Sequence, residues 1–235
     1  MQMPKIKVPI HRATFEFVII VLGVLAAFAV ENWKESRAEA VLEAEYVERL
    51  LSDVVLDIEQ LQFTLGIAEQ KIVGLREVRT WKSSSHSSEH LVKSLRRSIG
   101  LGWSLPRLNT ATFEDLNSTG RLGLIIDTDL RRAILDYYRN LSNARERLER
   151  RMTPFPTYVY SIVAPELLSG DEDEYATALK MCAEICKTTI DASETTEFHR
   201  LVTAEANYAQ DITEILPALE EEAHELQSQL LAVTN

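Results

Sequence analysis

The chain has 235 residues and a net charge of −11, with only 8 glycines and 7 prolines. This acidic balance argues against nucleic acid or anionic lipid as a partner bound through general electrostatics. Abundant charged and aliphatic residues, together with sparse glycine and proline, favour helices over sheets. The composition therefore predicts an all-α protein.

The first predicted element is a membrane-spanning helix. Between residues 13 and 30 only Thr14 and Glu16 are strongly polar. At 1.5 Å per residue this stretch spans about 27 Å, close to the roughly 30 Å hydrocarbon core of a bilayer. Basic residues flank its N-terminal end at Lys5, Lys7 and Arg12. They predict that residues 1–12 lie in the cytoplasm and that the C-terminal domain is external.

A cleavable signal peptide is the alternative interpretation of the same stretch. Ala27-Phe28-Ala29 fits the A-x-A pattern of a cleavage site. Glu16 is unusual beside such a segment, however, and helical patterning continues through Trp33. We therefore predict an uncleaved transmembrane helix at 13–33, with Trp33 at the outer interface, and an exported helical domain at 34–235.

Glu16 needs a physical explanation, because a carboxylate in a spanning helix costs free energy. It lies four residues after Arg12, and the two can pair near the headgroups. Alternatively, Glu16 faces a helix of a second copy or of another membrane protein. Gly23 and Ala27 would then let two backbones approach closely. The candidate membrane-helix interface is Glu16, Gly23, Ala27 and Trp33, and the predicted partners are the lipid bilayer and either a homo-oligomer or another membrane protein.

A long apolar stripe after the span predicts that the same helix continues to about Trp81. Its residues alternate spacings of four and three: Val47, Leu51, Val54, Ile58, Leu61, Leu65, Ala68, Ile72 and Leu75. Such alternation is typical of one narrow seam in a coiled coil or an elongated bundle. Gly66 and Gly74 weaken this helix slightly. We expect an N-terminal transmembrane helix continuous with a long helix of an elongated extracytoplasmic helical bundle.

Further helices are predicted at about residues 89–99, after a cap at Asp127 or Thr128, at about 174–186 and at about 195–232. The last of them carries an apolar stripe in which one expected position, Glu205, is charged. Pro217 lies inside this helix, where we expect a kink.

The two cysteines, Cys182 and Cys186, lie four residues apart. An oxidising compartment permits a disulfide between them, but this spacing is awkward in a regular helix. A bridge would need a local distortion or a helix end. Two free thiols packed on an apolar face are the alternative.

No catalytic, cofactor or metal site is predicted. The sequence contains no G-x-S-x-G elbow, no H-E-x-x-H pair and no phosphate-binding glycine loop. His86 and His90 have a spacing that can share a helix face, but metal sites usually take three or four ligands. The leading hypothesis is an interaction, scaffolding or sensing domain without catalysis. The alternatives are a small oligomeric ion- or proton-handling protein that uses Glu16, and an exported enzyme or metal-dependent protein.

Four stretches carry a family resemblance: FEFVIIVLGVLAAFAVENWKE, EYVERLLSDVVLDI, TFEDLNSTGRLGLI and LRRAILDYY. Together, up to about Leu141, they resemble a family of bacterial single-pass membrane proteins defined by a domain of unknown function. Members carry a Glu early in the spanning helix, as Glu16 does here, and a polar-Trp pair at its end, as Asn32-Trp33 does. The resemblance implies an anchor in the bacterial inner membrane and a periplasmic C-terminal domain. It implies no catalytic residues.

Overall fold

The computed structural model describes residues 10–100, 106–168 and 172–234, with all side chains in these ranges except those of residues 10–14, 16, 183 and 184. All regular secondary structure in these ranges is helical, so the all-α prediction is confirmed. The helices are α1 (Ile10–Thr80), α2 (Ser88–Ile99), α3 (Ala111–Ser118), α4 (Thr128–Glu149), α5 (Phe155–Ile162), α6 (Glu172–Lys180), α7 (Cys182–Ile185), α8 (Lys187–Ser193) and α9 (Thr196–Thr234). Short 3-10 turns lie at Arg121–Leu124 and Pro165–Leu167.

Helix α1 runs without interruption for 71 residues, from the apolar N-terminal segment into the bundle. At 1.5 Å per residue its length is about 105 Å. Every described side chain between residues 15 and 41 is exposed, and packing against other helices begins at Leu42. The prediction of a long N-terminal helix that continues into a helical bundle is confirmed.

Helix α9 packs antiparallel along the bundle part of α1. The direction follows from two contacts, because Gln62 donates to Glu220 at 2.8 Å while Lys71 pairs with Glu205. Helix α4 packs beside α9, and it begins where Asp127 accepts hydrogen bonds from the backbone amides of Asp129 and Leu130. This side chain satisfies two of the amides that the first turn of a helix leaves unpaired.

The core contains two apolar clusters stacked along α1. The first joins α1 between Tyr46 and Ala68 to α4 and to the C-terminal part of α9. The second joins α1 from Leu75 to Trp81 to α2, α5 and the N-terminal part of α9. Lys71 and Glu205 are buried between the two clusters.

The buried stripe of α1 differs in part from the predicted seam. Its positions alternate by three and four through Val47, Leu50, Val54, Asp57, Leu61, Thr64, Ala68, Lys71, Leu75 and Val78. The predicted seam residues that are only half-buried are Leu51, Leu65 and Ile72. The predicted seam contained only apolar residues, whereas α1 buries a polar residue at every seventh position, at Asp57, Thr64 and Lys71.

Helices α1 and α2 approach each other closely at Gly74. A Cβ atom added there would lie 2.7 Å from the backbone nitrogen of Ser98 and 2.8 Å from the backbone oxygen of Ser94. At Gly66, in the same helix, a Cβ would meet nothing within 4 Å. Gly74 is therefore a packing requirement rather than a mere weakness of the helix.

Candidate functional site

The N-terminal part of α1 has the length and composition of a membrane span. Among the described residues this is the one helix that passes such a test, and none of its most apolar window is buried. Large apolar side chains such as Phe17, Leu22 and Phe28 are exposed along it. A signal sequence near an N-terminus meets the same criteria. This segment of α1 is thus an apolar surface that none of the described residues of the bundle covers.

The candidate membrane-helix residues lie along this exposed part of α1. A Cβ at Gly23 would meet nothing within 4 Å, and the Ala27 side chain is exposed. Trp33 is exposed too, with the guanidinium of Arg37 stacked 5.8 Å from its ring centre. The side chain of Glu16 lies outside the described residues. A single chain therefore brings none of the described candidates into contact with another helix.

Asp57 forms the first buried polar centre of the bundle. Its Oδ2 accepts a hydrogen bond from the Tyr137 hydroxyl at 2.9 Å, and its Oδ1 accepts from the backbone amide of Asn109 at 2.6 Å. Burial raises the pKa of Asp57 from 3.8 to about 6, while the hydrogen bonds from Asn109 and Tyr137 act in the opposite direction. The nearby Asp53 carboxylate raises this pKa further. Asp57 thus ties α1 to α4 and to the segment before α3.

Thr64 lies one heptad further along the same stripe. Its hydroxyl donates to the backbone oxygen of Gln60 at 2.8 Å, which satisfies it within α1. Thr64 therefore fills a core position without linking α1 to another helix.

Lys71 and Glu205 form the second buried polar centre. Their ammonium and carboxylate groups make an ion pair, and the side chains are 0% and 1% exposed. The Thr153 hydroxyl also donates to the Glu205 carboxylate. Burial lowers the pKa of Lys71, although the Glu205 charge raises it in opposition. The pair joins α1 and α9, and Thr153 adds the connection between α4 and α5.

Sequence reasoning noticed the charge of Glu205 but not its partner. Both residues occupy buried positions of long amphipathic helices, and their charges are opposite. Charged side chains are almost never fully buried unless they are paired. A charge of one sign on each of two predicted apolar stripes is the pattern that would have found this pair.

Cys182 and Cys186 are joined by a disulfide in the structure, with Cα atoms 4.9 Å apart. Both side chains are buried in the second apolar cluster. Helix α7 ends at Ile185 and α8 begins at Lys187, and Cys186 lies between them with φ of −88° and ψ of 2°. These angles depart from those of a regular α-helix. The bridge thus lies at the kind of local helix break that the four-residue spacing requires.

The two histidines singled out by spacing are also close together. The rings of His86 and His90 stack with centroids 5.7 Å apart, and both side chains are exposed. Within the described ranges no three or more His, Cys, Asp or Glu side chains are grouped in a way that could hold a metal ion.

A groove of about 840 Å³ is lined by residues of α1 and α2 and by single residues of α5 and α6. Its apolar surface includes Phe63, Ile67, Tyr160 and Leu168. Its basic edge consists of Lys93, Arg96 and Arg97. None of the described residues that line it is Asp or Glu. No sequence spacing groups these residues, because they come from four separate helices and from the residues that directly follow α2 and the 3-10 turn at Pro165–Leu167.

Comparison of the chain with protein-family models, with curated proteins and with solved structures found no match. The resemblance to a bacterial single-pass family therefore stays a prediction. Function has to be argued from the geometry of the bundle and of its long first helix.

Proposed function

We propose that the chain is a single-pass membrane protein whose helical bundle acts outside the bilayer as an interaction, scaffolding or sensing domain. The observation that carries the proposal is the continuity of α1. One helix contains both the exposed apolar segment and the central stripe of the bundle core. Any force or displacement at the bundle is thereby transmitted to the segment that would lie in the membrane.

The exposed apolar segment supports the membrane assignment. Phe17, Ile20 and Leu25 are each more than half exposed, and every other described side chain of the segment is exposed too. Contiguous apolar surface of this extent is rare on soluble proteins and is typical of membrane or protein contact. Lipid is the simplest cover, because in an α-helix every backbone polar group is already paired.

A short exposed stretch of α1 separates this segment from the bundle. Residues 31–41 contact no other helix and span about 17 Å. Glu31, Lys34, Glu35 and Arg37 make the stretch strongly polar. It would hold the bundle clear of the headgroup region. The basic residues before the span favour a cytoplasmic N-terminus and a periplasmic bundle.

Binding fits the buried polar groups better than catalysis does. Asp57 and Lys71, whose pKa values are shifted by burial, are bonded inside the core, where no substrate reaches them. Their contacts connect helices. The bundle is therefore proposed to present surfaces to a partner or ligand.

Membrane topology is the direct test. In full-length protein expressed in bacterial cells, Ser84→Cys places a thiol in the exposed loop before α2, and Gln2→Cys places one before the span. A membrane-impermeant maleimide should label Ser84→Cys in cells whose outer membrane alone is permeabilised. It should label Gln2→Cys only after the inner membrane is opened as well. The unsubstituted chain is the control, because its two cysteines are bridged.

The opposite labelling pattern would reverse the proposed orientation. Release of the protein by alkaline carbonate, or an intact mass that corresponds to a chain starting after Ala29, would show a cleaved signal peptide in place of the anchor.

Self-association through Gly23, which is the alternative to another membrane protein as the partner, is tested on the same membranes by cross-linking. Gly23→Ile should reduce cross-linked oligomers, whereas Leu25→Ile, on another face of the span, should not. Equal cross-linking in both variants would show that Gly23 does not lie at an interface between copies.

A further inference from the structure

We propose that the groove beside α1 and α2 binds a single-chain amphiphile with a carboxylate head, namely a long-chain fatty acid. The inference deepens the proposed function by naming a ligand class for the same domain, and it rests on that function for the position of the membrane. The occupant follows from the apolar surface of the groove, from its basic edge and from its distance to the span.

The apolar surface has room for an alkyl chain. Phe63 is 60% exposed and Tyr160 is 55% exposed, which is unusual for large rings beside a well-packed core. Gly66 lies between Phe63 and Ile67 on α1, and the space above it is open because a Cβ there would touch nothing. The volume of about 840 Å³ falls within the range of roughly 300–1,000 Å³ typical of small-molecule sites.

The basic edge supplies the match for an anionic head. Lys93, Arg96 and Arg97 follow one face of α2, and no acidic side chain lines the groove among the described residues. This contrasts with the whole chain, in which 36 acidic residues outnumber 25 basic ones. Arg96 and Arg97 each pair with a carboxylate that does not line the groove, and Lys93 adds a further positive charge. The groove surface itself therefore presents cations on an otherwise acidic protein, which favours an anion at this position.

Two of the three cations are available to a ligand. Lys93 is exposed and takes part in no ion pair within the described part of the chain. Arg96 stacks 4.0 Å above the Tyr175 ring and pairs with Glu172, whose side chain is 79% exposed. Exposed ion pairs contribute little, at about 0–1 kcal/mol, so a carboxylate of the ligand can replace Glu172.

Arg97 is already paired with a carboxylate of the protein. It donates to Glu77 at 3.0 Å, and Ser94 donates to the other oxygen of the same carboxylate at 2.9 Å. We therefore assign the head group to Lys93 and Arg96, and the alkyl chain to the surface that runs from Gly66 toward Tyr160.

Distance separates this ligand from the lipids of the same membrane. Phe63 lies 33 residues beyond Val30, which is about 50 Å along α1. Headgroups of a bilayer that ends near Val30 cannot reach the groove. A free, monomeric amphiphile can.

The test uses full-length protein in phosphatidylcholine nanodiscs, with empty nanodiscs as the background. Radiolabelled hexadecanoate should bind saturably. Hexadecanol, which has the same chain without the charge, should bind about ten-fold more weakly or worse, because hydrogen bonds to charged groups discriminate by that much. Affinity should rise about four-fold for each added methylene between decanoate and hexadecanoate, as long as the chain stays buried.

Three variants locate the site. Lys93→Gln combined with Arg96→Gln should weaken hexadecanoate about ten-fold and leave hexadecanol unchanged. Gly66→Leu should abolish both while the melting temperature is kept or raised, since the position is open and leucine favours helix. Arg76→Gln removes an exposed cation of α1 outside the groove and should change neither.

The proposal is overturned if hexadecanoate shows no saturable binding above empty nanodiscs, if hexadecanol binds as tightly, or if Gly66→Leu binds normally. It is also overturned if Gly66→Leu changes the oligomeric state instead, because the groove would then be covered by a second copy. Maleimide labelling of Ser84→Cys and Gln2→Cys in cells, as described above, reads the membrane topology separately. If hexadecanoate does not bind but the labelling agrees with the proposed topology, the ligand proposal is refuted and the proposed function is not.

Discussion

Substitution of Gly74 by alanine tests the packing of α2 on α1 in the sharpest way. The added methyl carbon would lie 2.7 Å and 2.8 Å from backbone atoms of Ser98 and Ser94. Neither atom can rotate away as a side chain would, so α2 has to move. Inserting a methyl group into a packed contact costs about 1–3 kcal/mol, and a clash with backbone places the cost at the upper end. Alanine in place of glycine contributes about 1 kcal/mol of helix propensity in the opposite direction. The expected net loss is therefore about 2 kcal/mol.

Gly66 provides the matched control in the same helix. A methyl group there meets nothing within 4 Å, so only the propensity gain of about 1 kcal/mol remains. Because that gain is common to both variants, the difference between Gly74→Ala and Gly66→Ala isolates the packing cost. This difference should be about 3 kcal/mol.

Thermal unfolding of the full-length protein in mild detergent, followed by far-ultraviolet circular dichroism, measures both variants. For a chain of this size about 1 kcal/mol shifts the melting temperature by roughly 2–4 °C. Gly74→Ala should thus melt about 4–8 °C below the unsubstituted protein, and Gly66→Ala about 2–4 °C above it. Equal melting temperatures for the two variants would show that α2 does not approach α1 as closely as described.

Three further expectations concern the buried polar groups and the disulfide. Lys71→Met should lower the free energy of unfolding by about 3–5 kcal/mol, because it leaves the Glu205 carboxylate buried without its cation. Adding Glu205→Leu should recover most of that loss in urea titrations. A single variant as stable as the parent would contradict the ion pair. The Asp57 pKa of about 6 exceeds the unfolded value of 3.8, so the folded state binds the proton more tightly and the contribution of this group to stability falls as pH rises from about 4 to about 6. Asp57→Asn should accordingly gain up to about 3 kcal/mol on the parent between pH 4 and pH 7, whereas parallel stability curves would refute the raised pKa. Replacing Cys182 and Cys186 together by alanine should cost about 2 kcal/mol by chemical denaturation under oxidising conditions, since the bridge closes a short loop, and a loss of more than twice that size would mean that it also holds the second cluster together.

The long first helix was predictable because spacing alone specifies it. The apolar residues from Val47 to Leu75 repeat at helical intervals over many turns, and no proline interrupts them. Tertiary packing can override helix propensity, but a segment with so long a helical repeat rarely adopts another structure. The helix that follows Asp127 was predictable for a similar reason, because a capping side chain precedes a periodic apolar run.

The polar centres were not predictable in the same way. An apolarity pattern assigns Asp57 and Lys71 to the surface, since charged residues are rarely buried. Their burial depends on Tyr137, Asn109 and Glu205, which lie far away in the sequence. No spacing rule connects such residues until the helices that hold them are known to be neighbours. Gly74 illustrates the same limit. Helix propensity identifies this glycine only as a destabilising residue, whereas the structure shows that α1 contacts the backbone of α2 there.

The buried polar residues of α1 explain why the bundle has one register rather than several. Apolar stripes of long helices tolerate a shift by one turn, because leucine, valine and alanine side chains can replace one another against a partner. A one-turn shift of α9 would move Glu205 about 5.4 Å along α1 and leave Lys71 buried among apolar residues. An uncompensated buried charge of this kind costs about 3–5 kcal/mol, which is comparable to the net stability of many domains. Asp57 restricts α4 and the segment before α3 through Tyr137 and Asn109. Since all these contacts are made to α1, the helix that also contains the apolar span is the element against which the rest of the bundle is aligned.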